Sequence, residues 1–322
     1  MLDILAITGP IYLVAAIGYL CTRAGLFERA DMRVFGKYVV NLALPALLFN
    51  ALSQRSVAEV LNPVFIAAYA IGSIAVNLVG VFWARRIAGK PLSAAAIIGM
   101  GMSCPNSGFI GFPVAAQLLG PANAGIALAL AMVVENFLTI PFSWALADSD
   151  VGRAGAGQSR GQRVRTALLQ SLRGVVRNPM IWGLALGFVF SLFGWRLPQP
   201  LARTVNLFAV ATASLALFVI GGSLVGVHVR GYAREMVAIA VGKLVLHPLF
   251  VLAAVLLLPP MQRDLQVAVV LMAAVPTVGI YPILAQRHGQ DTMAAAAQVG
   301  TTVASFFTLT GLMWVLSRGL VG

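Results

Sequence analysis

The sequence predicts an all-α polytopic membrane protein with ten transmembrane helices in two inverted five-helix repeats, in which helices 4 and 9 are broken at a proline crossover. Three observations lead to this prediction. First, 60% of the 322 residues are hydrophobic and only 10% are charged, whereas a typical soluble domain has about 25% charged residues. Second, apolar runs long enough to cross a bilayer follow one another through the chain. Third, two of these runs are interrupted by Pro and Gly at corresponding places in the two halves.

The predicted spans are separated by short connections, with one exception. A span needs about 20 mostly apolar residues, and ten segments meet this requirement, at 4–22, 34–53, 63–84, 93–118, 122–147, 178–195, 202–227, 236–258, 264–286 and 291–316. One long polar stretch is rich in Gly, Ser, Gln and Arg, which is typical of a flexible linker. We therefore predict a first five-helix repeat over 1–147, a cytoplasmic linker over 148–177 and a second five-helix repeat over 178–322.

The fourth and ninth spans are the interrupted ones. The first interruption contains Pro105, Asn106, Ser107, Gly108, Gly111 and Pro113, and the second contains Pro276, Thr277, Val278, Gly279 and Pro282. Each Pro removes a backbone donor and clashes with the carbonyl four residues earlier, and each Gly weakens a helix further. Unwound backbone at membrane depth persists only inside protein or beside a cavity. Two interrupted spans at matching places are typical of a transporter's binding site.

A repeat relates the two halves of the chain. At a constant separation of 169 residues, identical residues recur in the pairs Pro10 and Pro179, Gly18 and Gly187, Pro113 and Pro282, Gln117 and Gln286, and Gly120 and Gly289. Each half contains five spans, which is an odd number. The two halves must therefore enter the membrane in opposite directions, which defines an inverted repeat.

The basic residues predict the orientation of the chain. With the N-terminus outside, the loops on the cytoplasmic side hold 15 Lys and Arg residues and the outer loops hold five. Because cytoplasmic loops carry the excess of Lys and Arg, we expect both termini outside. We expect a multi-pass protein of the cell inner membrane, embedded in the lipid bilayer.

Composition also argues against several classes of function. The net charge of +12 would suggest nucleic-acid binding in a soluble chain, but here the basic residues lie in loops between spans, so we expect no nucleic-acid partner. Cys21 and Cys104 lie inside predicted spans and the three His residues have no Cys nearby, so we expect neither a disulfide framework nor a metal site. No phosphate-binding loop, nucleophile elbow or paired carboxylates occur in the spans. We therefore expect no cofactor, no ATP-driven transport and no enzyme.

Several motifs resemble the auxin efflux carrier family, which includes the plant PIN-formed auxin exporters and bacterial carriers of malate or malonate. These motifs are Gly25-Leu26-Phe27, Leu44-Pro45-Ala46-Leu47-Leu48-Phe49, Asn106 with Gly111 and Pro113, and Gly279-Ile280 with Pro282, Ala285 and Gly289. The resemblance covers nearly the whole chain. It implies a scaffold of spans 1, 2, 6 and 7, a moving core of spans 3–5 and 8–10, a substrate at the crossing of the breaks, and a homodimer. The short central loop departs from the plant exporters, so the bacterial relatives imply a small carboxylate.

The broken spans predict an anion site on physical grounds as well. Each break near the membrane midplane exposes a helix N-terminus with free N–H groups and about half a positive charge. A carboxylate could be held there without Arg, and neither break contains one. The predicted substrate-binding residues are Asn106, Ser107, Gly108, Thr277, Val278, Gly279 and, from the second span, Asn41; the predicted crossover prolines are Pro105, Pro113, Pro276 and Pro282. The alternative is that the prolines and glycines only kink the helices for packing.

Ionisable residues inside spans are costly, so each is a functional hypothesis by default. Glu135 lies in the fifth span, and Lys243 and His247 lie four residues apart on the eighth span, where they share a helix face. These three residues are the candidates for coupling to H+ or Na+. The alternatives are a structural ion pair for Glu135, extension of Lys243 to the cytoplasmic headgroups, and a hydrogen-bonded core histidine for His247.

The sequence thus predicts a secondary active transporter of a small organic anion, a mono- or dicarboxylate, which works by alternating access of an elevator-like core against a scaffold. The alternative within transport is a cation or proton exchanger on a similar crossover fold. Such exchangers place carboxylates at the crossing, and neither break contains Asp or Glu. A membrane-embedded enzyme and a receptor or structural membrane protein are the alternatives outside transport.

Overall fold

The computed structural model describes residues 2–55, 61–151, 178–226 and 231–317, and in these ranges helices are joined by turns and two short extended segments. The described ranges contain no β-strand, and one isolated bridge joins two residues. The prediction of an all-α protein is therefore confirmed for the part of the chain that the structure describes.

The first half, as described, consists of helices that are in part joined by wide π-helical turns. The helices are α1 (Leu2–Arg23), α2 (Arg29–Tyr38), α3 (Leu44–Ser53), α4 (Pro63–Arg86), α5 (Leu92–Ser103), α6 (Phe112–Val134) and α7 (Ile140–Val151). The π-helical turns are Val39–Ala43 between α2 and α3, Ser107–Gly111 before α6, and Glu135–Thr139 between α6 and α7. Helix α7 extends past the predicted start of the linker at 148, and the rest of that linker lies outside the described residues.

The second half repeats this composition of helices and turns. Its helices are α8 (Pro179–Phe193), α9 (Gln199–Ser223), α10 (Ala233–Val241), α11 (His247–Leu257), α12 (Arg263–Ala274), α13 (Tyr281–Gln286) and α14 (Asp291–Ser317). A π-helical turn at Gly242–Leu246 joins α10 to α11. Each of the ten predicted spans therefore coincides with helical structure, over bounds that differ by a few residues.

Helices α4 and α8 begin with the same local signal. The side chain of Asn62 accepts a hydrogen bond from the N–H of Phe65 (2.9 Å), and the side chain of Asn178 accepts one from the N–H of Met180 (3.0 Å). A proline follows each Asn at the first helical turn, where its missing N–H has no helical acceptor to lose. The sequence Asn-Pro thus fixes the start of both helices.

Gly120 divides α6 at the boundary between the predicted fourth and fifth spans. Its backbone has φ 78° and ψ 158°, a conformation that residues with a Cβ rarely adopt. Pro121 follows directly, and a residue before proline is held out of the helical conformation. Two helical segments of α6 can therefore turn on this pair without a connecting loop.

Several helical stretches are long and apolar enough to cross a membrane. Within the described residues these are Arg29–Ser53, Pro63–Arg86, Ser107–Ser149, Gln199–Ser223 and Ala233–Leu257. A chain with several such helices is a multi-pass membrane protein. The count of ten spans and the inverted orientation of the two halves stay predictions.

The helices pack in two groups. In one group, α9 packs against α1 and α3, and α3 packs against α8. In the other group, α4 packs against α5 and α11, α6 packs against α12, and α14 packs against α10 and α13. The first group consists of the predicted spans 1, 2, 6 and 7, and the second consists of the remaining spans.

Glycines allow very close backbone approach within the first group. A Cβ on Gly18 would lie 2.2 Å from the carbonyl oxygen of Phe218, and a Cβ on Gly187 would lie 3.0 Å from the carbonyl oxygen of Phe49. Gly18 and Gly187 are 169 residues apart, as are Phe49 and Phe218. The two contacts therefore exchange the halves of the chain at the separation that the sequence repeat has.

Candidate functional site

The two breaks meet each other in the middle of the second helix group. Helix α5 ends at Ser103 and α12 ends at Ala274. The N–H of Asn106 then donates to the carbonyl of Pro276 (2.7 Å), and the N–H of Val278 donates to the carbonyl of Cys104 (2.9 Å). These bonds form an antiparallel bridge that satisfies backbone groups which the interrupted helices leave unpaired.

The bridge changes what Val278 and Thr277 can do. The N–H of Val278, which we expected to bind a carboxylate, is occupied by Cys104. The Thr277 hydroxyl is fully buried, donates to the carbonyl of Gly101 (3.1 Å) and bonds the Thr301 hydroxyl (3.3 Å). In this conformation both residues hold the breaks together and offer no free donor to a ligand.

Asn106 keeps a free donor. Its side-chain oxygen accepts a long bond from the N–H of Phe109 (3.4 Å), which caps the π-helical turn that follows. Its side-chain nitrogen has no hydrogen-bond partner among the described residues, although the residue is only 6% exposed. A Cβ placed on Gly279 would lie 3.7 Å from this nitrogen, so the amide of Asn106 faces the backbone of the second break.

One helix N-terminus at the breaks is a usable anion site, and the other is short. The helical turn that leads into α6 begins at Ser107, so the N–H groups of Ser107 and Gly108 have no acceptor within their own helix. A Cβ on Gly108 would lie 3.0 Å from the side chain of Leu44, so the absence of a side chain leaves this surface close to α3. Helix α13, which follows the second break, has six residues, and a helix this short carries a weak dipole.

Glu135 reaches the first break from the fifth predicted span. Its carboxylate oxygen Oε1 accepts hydrogen bonds from the hydroxyl of Ser107 and from the phenol of Tyr69 (2.9 Å). Glu135 is 7% exposed, and its second oxygen has no hydrogen-bond partner among the described residues. The fifth span thus places a buried carboxylate against the start of the broken helix.

Lys243 reaches the second break in a corresponding way. Its ammonium group donates to the carbonyl of Ala273, at the end of α12, and to Nδ1 of His247 (3.0 Å). Because an ammonium group only donates, Nδ1 of His247 accepts, and the ring proton lies on Nε2, where it meets Ser73 Oγ (2.9 Å). Lys243 is fully buried, so it does not extend to the headgroups.

The carboxylate and the ammonium group have separate partners and are connected through Tyr69. The ring of Tyr69 lies 5.8 Å from the ring of His247, while its hydroxyl holds Glu135. The described residues contain no ion pair between Glu135 and Lys243. Each charge instead faces the helix end of opposite sign, the carboxylate at an N-terminus and the ammonium at a C-terminus.

The four crossover prolines divide into two kinds. Pro105 and Pro276 lie in the extended segments of the breaks. Pro113 and Pro282 lie in the first turn of the helix that follows each break, where the missing N–H costs no helical hydrogen bond. Their positions are repeat-related, as the sequence predicted.

Asn41 is not brought to the breaks by any contact of the described residues. It is exposed, and its side-chain nitrogen donates to the carbonyl of Lys37 one turn earlier on its own helix (2.7 Å). It lies in the π-helical turn of the second span.

The sequence analysis missed three residues of this site and one recurring backbone feature. The residues are Tyr69, Ser73 and Gln298, of which Gln298 donates to the carbonyl of Gly279 (3.0 Å). Tyr69 and Ser73 are four residues apart and therefore share the face of α4 that meets the site. The feature is the π-helical turn: each of the four in the described residues contains a predicted site residue, namely Asn41, Ser107, Glu135 or Lys243. Such turns are frequent at functional sites, but no simple sequence pattern marks them.

A cavity of about 340 Å³ lies away from the breaks. It is formed between α1 and α9 and is lined by Tyr12, Ala15, Ala16, Tyr19, Leu20, Gly221, Leu224 and Phe306. The lining is almost entirely apolar and includes none of the predicted site residues. The arrangement at the breaks, with amide and N–H donors, suits a small polar anion better than this cavity does.

Comparison with known proteins agrees with this architecture. The family described as "Membrane transport protein", which is the auxin efflux carrier family, matches residues 6–315. The "Uncharacterized transporter YfdV" of Escherichia coli (strain K12) is 26% identical over 97% of this chain and 96% of its own length. A "Putative malonate transporter" of Rhizobium meliloti is 27% identical over 99% of this chain and 98% of its own length. An "Uncharacterized transporter" of Methanothermobacter thermautotrophicus is 24% identical over 93% and 94%.

Proposed function

Since the chain belongs to the auxin efflux carrier family of membrane transport proteins, we propose that it is a secondary active transporter of a small organic anion, a mono- or dicarboxylate. The observation that carries this proposal is the free side-chain nitrogen of Asn106, which faces Gly279 where the two breaks meet. Beside it lie the unpaired N–H groups at the start of a helix, which favour negative charge. The name of the Rhizobium meliloti relative refers to malonate, a small acid of this class.

The anion site that we propose is smaller than the one predicted from the sequence. It consists of the Asn106 amide, the N–H groups of Ser107 and Gly108, and the backbone of Gly279. Thr277 and Val278 support it through the bridge between the breaks. Asn41 remains a proposed contribution from the second span, which would require its π-helical turn to approach the substrate in another conformation.

Alternating access is the proposed mechanism, with the group of α1, α3, α8 and α9 as scaffold and the remaining helices as a moving core. The glycine contacts of Gly18 and Gly187 support a rigid scaffold, because backbones that approach this closely cannot slide past each other. The same contacts support the inverted repeat, since they exchange the halves at the 169-residue separation. The setting that we propose is the inner membrane, with both termini outside and two copies per assembly.

Proton coupling or proton exchange is a second candidate, and Glu135 favours it. The sequence argued against an exchanger because neither break contains Asp or Glu, yet the carboxylate of Glu135 bonds Ser107 in the first break. The fifth span therefore supplies the carboxylate that the breaks themselves lack. With Lys243 and His247 nearby, the site contains groups that could bind and release a proton during the cycle.

The proposal is tested by uptake into proteoliposomes of radiolabelled malate, malonate, pyruvate and indole-3-acetate. We expect saturable uptake of at least one acid, with apparent affinity about 10–100-fold lower in Asn106→Ala, because one hydrogen bond to a charged group is lost. The matched control is Asn123→Ala, whose exposed side chain bonds Asp264 away from the breaks and whose replacement should leave uptake unchanged.

Two results would redirect the proposal. Uptake that is equally strong in Asn106→Ala and the wild type would move the site away from the first break and reduce that segment to a structural kink. Dissipation of a proton or sodium gradient by the protein without any carboxylate, and its loss in Glu135→Gln, would establish the exchanger instead.

A further inference from the structure

Gln298 brings a second amide group to the place where Asn106 faces Gly279. It projects from α14, and its side-chain nitrogen donates to the Gly279 carbonyl (3.0 Å). A Cβ on Gly279 would lie 3.7 Å from this nitrogen and 3.7 Å from the nitrogen of Asn106. The two nitrogens are therefore no farther apart than twice that distance, a gap that the two ends of a three- or four-carbon acid can span.

The two amides present opposite hydrogen-bonding groups to this gap. The bond to Gly279 fixes the nitrogen of Gln298 on the protein, and the side-chain oxygen has no hydrogen-bond partner among the described residues. That oxygen can only accept a hydrogen bond. The free group of Asn106 is its nitrogen, which can only donate. A ligand that bridges both must therefore present an acceptor at one end and a donor at the other.

The charges around the breaks set a limit on the charge of that ligand. In the described part of the chain, the ionisable side chains hydrogen-bonded to the breaks are Glu135, through Ser107, and Lys243, through the Ala273 carbonyl. They are of opposite sign, and Lys243 is fully buried. The positive potential left for a ligand is that of one helix N-terminus, about half an elementary charge. This balances one carboxylate and leaves a second carboxylate unpaired at high desolvation cost.

We propose that the site takes a singly charged acid with a hydrogen-bond donor at its far end, and that Gln298 is the specificity residue that accepts from this donor. Hydroxy acids and dicarboxylic acids in their half-protonated form fit this description, and fully ionised dicarboxylates do not. This inference rests on the proposed function, because it concerns the same carboxylate site and adds the charge and the second group of the substrate.

Three acids of equal chain length separate these requirements. Propionate has one charge and no donor, 3-hydroxypropionate has one charge and a donor, and malonate gains its second charge as the pH rises. Binding to the purified protein in nanodiscs is measured as the rise in thermal unfolding midpoint with acid concentration, from about pH 5 to about pH 8. Propionate and 3-hydroxypropionate stay singly charged over this range, so they report any titration of the protein itself.

Gln298→Met tests the residue because it keeps the length of the side chain and removes both amide groups. We expect the wild type to prefer 3-hydroxypropionate to propionate, and Gln298→Met to lose that preference, with about tenfold weaker binding of 3-hydroxypropionate and unchanged binding of propionate. Malonate should weaken with rising pH relative to 3-hydroxypropionate. Gln286→Met is the matched control, because Gln286 is exposed at the end of α13.

The outcomes distinguish this inference from the proposal on which it rests. Equal weakening of all three acids in Gln298→Met, with a lower unfolding midpoint of the free protein, would make Gln298 a structural support of Gly279 and overturn the inference. Malonate binding that does not change with pH relative to 3-hydroxypropionate would overturn the charge limit. If none of the acids binds the wild type at any pH, the carboxylate site itself is refuted.

Discussion

At the scale of single residues, the site is organised by two buried charges that hold the ends of broken helices. Glu135 accepts from Ser107 at the start of one half-helix, and Lys243 donates to the Ala273 carbonyl at the end of another. Both bonds place a charge where the helix dipole favours it. A buried charge is tolerated in the membrane only with such partners, so the two residues stabilise the breaks whether or not they also carry a proton.

Lys243→Met should lower the stability of the protein by about 1–3 kcal/mol, because it leaves the Ala273 carbonyl and His247 without their donor in a buried place. The midpoint of thermal unfolding in detergent measures this change. Lys90→Met is the control: Lys90 is 39% exposed and pairs with Glu235, so its loss should cost less than about 1 kcal/mol. An equal effect of the two substitutions would contradict the role of Lys243 at the break.

The second variant of this pair tests whether the two charges are coupled. Glu135→Gln combined with Lys243→Met removes both charges from the core. The double variant should be more stable than the sum of the two single effects, since a lone buried charge costs more than none. Strict additivity of the unfolding free energies would show that the groups act independently.

At the scale of elements, close packing of α1 on α9 depends on glycine. A Cβ on Gly221 would lie 1.8 Å from the carbonyl oxygen of Ala15, a contact with backbone that no side-chain rotation relieves. Gly221→Ala should therefore destabilise the protein by about 1–3 kcal/mol. Gly311→Ala on α14, where no atom lies within 4 Å of the new Cβ, should be neutral or stabilising by up to about 1 kcal/mol. Similar unfolding midpoints for the two variants would contradict the packing described.

The elements show how far the sequence alone can reach. Apolar length predicted where helices lie, and Pro with Gly predicted both interruptions, because these properties are local to the chain. The partners of the predicted residues could not be read in this way. Tyr69, Ser73 and Gln298 meet the breaks from α4 and α14 through tertiary packing, and the pairing of Val278 with Cys104 arises only when two distant segments cross.

The orientation of donors at the breaks was the hardest feature to predict. From the sequence, Thr277 and Val278 are as good candidates for a ligand as Asn106 is, since all three lie in a break and carry polar groups. The structure uses the first two for bonds between the segments and leaves the amide of Asn106 free. Local sequence contains no information on which donor the opposite break consumes.

At the scale of the whole molecule, transport requires the two helix groups to move against each other. The phenol of Tyr12 on α1 donates to the Phe306 carbonyl on α14 (2.7 Å) and contacts Thr310. These bonds join the proposed scaffold to the proposed core and must break in each cycle. In contrast, Phe49 and Phe190, whose rings are 5.1 Å apart, lie within the scaffold on α3 and α8.

Cross-linking tests this division. In a background with Cys21→Ala and Cys104→Ala, the pair Tyr12→Cys and Thr310→Cys is joined by a bifunctional thiol reagent that spans the space of the tyrosine ring. We expect uptake to stop on cross-linking and to return on cleavage of a reducible reagent. The pair Phe49→Cys and Phe190→Cys, treated identically, should leave uptake unchanged. Arrest by the second pair, or transport through the first, would contradict motion of the core against the scaffold.

The central claim is that a carboxylate binds where the two breaks meet. The most direct measurement is an experimental structure of the protein in nanodiscs, determined by electron cryo-microscopy with the best transported acid bound. We predict density for the acid between the side-chain nitrogen of Asn106 and the backbone of Gly279, next to the N–H groups of Ser107 and Gly108. Density in the apolar cavity between α1 and α9, with the breaks empty, would contradict this account.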